Sequence, residues 1–148
     1  MKRSQIMILL VLVWVVSLSS CKIEPEPIQY GADQCHFCKM NIVDKAHAAQ
    51  YVTDKGKQYK YDAIECMIRE ISRAGNLQIS MKLVSDFSAP GNMIPAEEAS
   101  YIISPGIKSP MGANLSAVKE LDQAKKLIQE FEGAVFNWDD IQGKINSK

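Results

Sequence analysis

The 148-residue chain carries 17 Lys plus Arg against 17 Asp plus Glu. That length supports one compact domain or two very small ones. A formal charge of zero leaves no basic footprint for nucleic acid and no electrostatic attraction to an anionic membrane surface.

Lys2 and Arg3 precede an apolar run over residues 6–16, and Ser17-Leu18-Ser19-Ser20-Cys21 sets small residues just before a cysteine. This is the layout of a secretory signal, with a run too short for an ordinary spanning helix. Residues 1–20 are expected to be removed, leaving 15 basic against 17 acidic side chains and a charge near −2. Leu18-Ser19-Ser20-Cys21 also resembles the bacterial lipobox, so Cys21 is expected to be lipidated in an exported protein of the cell envelope that faces the periplasm. Each buried methylene of an acyl chain contributes about 0.8 kcal/mol, so several chains hold firmly. Lys22 is not the aspartate associated with inner-membrane retention, and inner and outer membrane both stay open. Residues 21–29, with Pro25 and Pro27 and no apolar period, read as an anchor and an extended tether. Ordered structure is expected from about Tyr30.

Cys35-His36-Phe37-Cys38-Lys39-Met40 comes before any periodic segment and is placed on a loop. Residues 47–53 and 58–61, rich in tyrosine and β-branched side chains around a glycine-bearing turn, predict a β-hairpin. Asp62 is expected to cap the helix that follows, in which Ile64, Met67, Ile68 and Ile71 recur at helical spacing before Gly75-Asn76. Residues 77–87 supply a further strand. Pro90, Gly91 and Pro95 mark a break, and the same order then recurs. Strands are predicted over 99–103 and 114–118, a helix over 120–132 closed by Gly133, and a last strand over 134–138. The expected fold class is therefore α+β, with two small degenerate ββαβ units packed together over residues 30–88 and 89–142 and a polar tail over 143–148.

Without Cys21 three cysteines remain, Cys35, Cys38 and Cys66, an odd number for an oxidising compartment. Cys66 lies beside the apolar helical face with Ala63 and Met67 and reads as a buried core residue. Cys35 and Cys38 support three readings. A redox pair needs its leading cysteine at a helix N-terminus, and a Pro-containing segment stands there instead. A zinc clamp needs two further ligands, for which His36 and His47 are the histidines available. His36 cannot readily face the same way as both flanking cysteines, although His47 can join. A Cu(I) site suits thiolate and thioether donors, with Cys38 and Met40 on one side of an extended segment and Met111, from Ser109-Pro110-Met111-Gly112, as a third donor. Met81 fits a strand face and Met93 has no other donor nearby.

Cys35-X-X-Cys38-X-Met40, the hairpin and helix after it, and Ser109-Pro110-Met111-Gly112 resemble the NosL family of copper-chaperone lipoproteins, from the lipobox to about Trp138. The resemblance implies a pair of ββαβ units, related in topology to part of organomercurial lyase, and a non-enzymatic Cu(I) carrier. It implies nitrous oxide reductase or its assembly machinery as partner, with the membrane reached through the lipid anchor. It assigns copper to Cys38, Met40 and Met111, with Cys35 a further candidate. Lys39 stands where relatives often have glycine, and Ala113 replaces a histidine that sometimes follows the Pro-Met-Gly segment, so an imidazole ligand has to come from His36 or His47. A dimer linked through metal is compatible with the same residues. The alternatives are a thiol-disulfide oxidoreductase using Cys35 and Cys38, and a lipoprotein holding structural zinc.

Overall fold

A computed structural model describes residues 23–147, so the export signal and Cys21 lie outside the described residues. β1 (Ala49–Thr53) and β2 (Gln58–Tyr61) form the hairpin, with Gly56 at φ +78° in its turn, a conformation that glycine adopts without steric cost. α1 (Ile64–Arg73) follows, and β3 (Ile79–Ser85) returns antiparallel to β1 with Ala49 opposite Val84. The second half repeats this order with β5 (Ser100–Ile103), β6 (Leu115–Val118), α2 (Leu121–Phe131) and β7 (Ala134–Phe136). In each half the strand after the helix lies beside the first strand of the hairpin, giving the orders β2-β1-β3 and β6-β5-β7. The fold is thus α+β, built on two small antiparallel sheets.

Two elements were not expected. The Pro/Gly break contains β4 (Met93–Pro95), which pairs with β3 at the sheet edge. An edge position tolerates Pro95 because its missing N–H faces no partner, and burial of Ile94 holds the strand down. The expected strand over 134–138 stops at Phe136, and residues 143–146 of the expected polar tail belong to α3 (Trp138–Asn146). The Asn137 side chain accepts from the Asp140 amide at 2.9 Å, which satisfies one of the exposed donors of the first turn. Trp138, Ile141 and Ile145 then form a buried stripe at helical spacing.

Asp62 does not cap α1. Ala63 holds the N-cap position without a side-chain bond, while the Asp62 carboxyl is buried against the Val43 amide, and burial raises its pKa. The tether also differs from expectation. Residues 23–29 have no regular secondary structure, yet they lie along the hairpin: the carbonyl oxygens of Glu24, Glu26 and Pro27 accept from Gln58, Gln50 and Lys60 at 3.0–3.1 Å. Ile28 packs against the main core.

A single large cluster joins the halves. It runs from Tyr51, Tyr61, Ile64, Met67 and Val84 to Tyr101, Leu115, Trp138, Ile141 and Ile145, and it includes Cys35 and Cys66. α3 packs against α1 and β5, so the last helix closes the first half onto the second. Each fully buried large side chain of this kind contributes about 1.5–3 kcal/mol. A smaller cluster of Ile102, Val118 and Ala124 lies under α2.

Candidate metal centre

The loop before β1 is a narrow ribbon. Gln34 bridges Asn41, the Ile42 amide donates to the Asp33 carbonyl, and the Cys35 amide donates to the Met40 carbonyl at 2.8 Å. The tip therefore turns sharply, and the Lys39 amide donates back to the Cys35 carbonyl at 3.0 Å. Lys39 sits at φ +66°, in the left-handed region that disfavours side chains with a Cβ. The Lys39 ammonium donates to the His36 carbonyl across the same turn. The expected extended segment with Cys38 and Met40 on one side is thus replaced by a turn. The Met40 amide donates to the Cys38 sulfur, while the Met40 side chain is 44% exposed.

Folding brings a third thiol to this tip. The sulfur atoms of Cys35, Cys38 and Cys66 all lie within 4.8 Å of one another, and all three cysteines are free. Cys35 and Cys66 are buried and Cys38 is partly accessible. Cys66 stands in the first turn of α1, where its amide donates to the Ala63 carbonyl at 3.1 Å. The Cys35 sulfur receives hydrogen bonds from the Cys66 thiol and from the amides of Cys38 and Asp62. These favour its anion, led by the Cys66 contact, and lower the Cys35 pKa to about 5 despite burial. Cys66, the donor in that contact, is pushed far up, and burial raises Cys38. The donors that converge on Cys35 thus make it the most readily ionised of the three thiols.

Met111 comes from the second half, on a turn between β5 and β6. The Gly112 amide donates to the Ser109 carbonyl at 3.0 Å, and Gly112 has φ +76°. Met111 is partly buried against the core cluster that contains Cys35 and Cys66. The turn is tied to α1 through Glu65, whose side chain is fully buried. Glu65 Oε1 accepts from the Ser109 hydroxyl at 2.6 Å and from the Ala113 amide at 3.2 Å, and the Asn114 amide donates to the same hydroxyl at 2.9 Å.

The two histidines have other partners. His36 Nδ1 lies 2.5 Å from Glu70 Oε1, and its ring stands edge-on to Tyr59. His47 is buried, with Nδ1 2.8 Å from Asp44 Oδ2 and Nε2 3.1 Å from the Ser116 hydroxyl. Both ring nitrogens of His47 are therefore engaged. Among the described residues, the Cys, His, Asp and Glu side chains that converge as a group able to hold a metal are the three cysteines. The sequence left Cys66 in the core, although the odd thiol count was the signal that could have found it.

The model of the NosL family matches residues 27–145. Over 125 residues the chain is 27% identical to the copper-binding lipoprotein NosL of Stutzerimonas stutzeri, covering 78% of this chain and 66% of that protein. The fold resembles the crystal structure of the copper chaperone NosL from Shewanella denitrificans with a TM-score of 0.70, covering 80% of this chain and 95% of the other at 18% identity.

Proposed function

Because the chain belongs to the NosL family, we propose that it is an exported, membrane-anchored carrier that takes up Cu(I) and delivers it for assembly of the copper centre of nitrous oxide reductase. The family is one of copper chaperones and not of enzymes. The observation that carries the reading for this chain is the convergence of three thiols within 4.8 Å. Soft sulfur donors select Cu(I) over hard cations, and a zinc site ordinarily requires four ligands.

Charge sets the composition of the site. One thiolate neutralises Cu(I), and each further thiolate adds a negative charge that is costly to bury. Thioethers add donors without charge, which gives Met40 and Met111 a use beside Cys35, Cys38 and Cys66. Cys38, the most accessible of the three thiols, is the entry ligand, and exposed Met40 is the first donor to be exchanged. A low-coordinate ion can accept a donor from the recipient before it loses one of its own, so delivery proceeds by ligand exchange without turnover of substrate.

Anaerobic loading with Cu(I) followed by titration of a competing chelator tests this reading. The expected result is tight binding by the wild type and marked loss in a Cys38→Ser, Met111→Leu double variant. Equal affinity in the two proteins overturns the assignment.

A further inference from the structure

Among the buried polar groups, Glu65 makes contacts that cross between the two halves at the metal centre. It precedes Cys66 in the first turn of α1, and its side chain is fully enclosed. An ionisable side chain is rarely enclosed without partners that hold it. Glu65 Oε1 meets both ends of the turn that carries Met111, the Ser109 hydroxyl at 2.6 Å and the Ala113 amide at 3.2 Å. Glu65 Oε2 is buried with no hydrogen-bond partner. The single engaged oxygen thus clips the turn to the helix that supplies Cys66.

We propose that Glu65 is the positioning residue for Met111, fixing the thioether beside the thiols by clamping the 109–113 turn through Ser109 and Ala113. This rests on Cu(I) being the cargo. Without the clamp, Pro110-Met111-Gly112 is held by its own turn bond from the Gly112 amide to the Ser109 carbonyl, and nothing ties that turn to α1 at Glu65. The thioether then has to be ordered at the moment of binding, which lowers affinity. Glu65 reaches copper only through the turn, so its effect has to vanish when Met111 is already gone.

Cu(I) affinity, measured anaerobically by competition with bicinchoninate, tests this in full-length protein variants. Glu65→Ala and Ser109→Ala are each expected to weaken binding by about 10- to 100-fold, the range for groups that orient metal ligands. Glu65→Gln keeps the accepting oxygen and should remain near wild type. In a Met111→Leu background Glu65→Ala should cause no further loss, since coupled residues are not additive. Copper X-ray absorption of the saturated proteins should show one fewer sulfur neighbour in Met111→Leu and the wild-type number in Glu65→Ala and Ser109→Ala. If Glu65→Ala fails to fold, Ser109→Ala breaks the same clamp from the other side. Wild-type affinity in Ser109→Ala, equal weakening by Glu65→Gln and Glu65→Ala, or full additivity with Met111→Leu overturns the inference. A wild-type protein that cannot compete for Cu(I) instead overturns the carrier reading.

Discussion

A buried thiolate is costly unless donors meet it, and Cys35 meets the Cys66 and Cys38 thiols and the amides of Cys38 and Asp62. This makes metal-free stability depend on pH with a definite sign. The folded-state value of Cys35 is depressed to about 5, so its contribution is fully present above the ordinary thiol range and is lost as pH falls through about 5. Cys38 and Cys66 are shifted upward, so their contributions are present below that range and decline above it. The stability difference between wild type and Cys35→Ser, read from urea midpoints without metal, should grow as pH rises from 5 to 9. A flat difference across that window contradicts the assigned thiolate. At this scale the sequence singled out Cys35 and Cys38, which the fold does bring together. It was not legible for Cys66, because an apolar helical face does not say which of its members meets a loop from earlier in the chain.

Hairpins and helices with strong periodicity were readable, as Ile64, Met67, Ile68 and Ile71 in α1 illustrate. The failures were short or mixed elements. β4 has three residues and contains Pro95, so its formation depends on pairing with β3 rather than on local propensity. α3 was hidden by Gly143 and a polar surface, although Asn137 followed by Asp139 and Asp140 is an N-terminal signal and Ile141 and Ile145 fall one turn apart. Gly133 was read as a stop for α2, and the structure gives it a stricter reason: at φ +128° a Cβ would lie 2.3 Å from the Ile103 carbonyl oxygen. α3 supplies core to both halves, and Ile141 is completely buried. Ile141→Ala should therefore cost about 2–5 kcal/mol in chemical denaturation, as for other large-to-small core changes. An unchanged midpoint would mean that α3 is an appendage.

The three clustered thiols come from two separate stretches, the loop before β1 and the first turn of α1, and the proposed thioether of Met111 stands on a turn of the second half that packs against the same core. Neither ββαβ half alone contains all of them, which is why the pairing of halves matters more than the repeat itself. The order of elements predicted the two sheets, but no local signal announced that α3 and one shared core would join the two halves. Attachment belongs to the same scale. Growth with a radioactive fatty acid should label the wild-type protein and leave Cys21→Ala unlabelled, and an unlabelled wild type removes the anchor.

The docking of residues 24–28 along the hairpin bears on what the proposed anchor at Cys21 would do. Glu24 is already held by Gln58, so three peptide steps separate it from the lipidated residue. Extended chain covers about 3.3–3.6 Å per residue, which limits the leash to roughly 10 Å. On the proposed attachment at Cys21, the domain would be held close to the bilayer with its hairpin edge nearest the lipid. A leash that short would narrow the orientations open to the domain, so the proposed delivery would depend on the length of the segment before Glu24 as well as on the thiols.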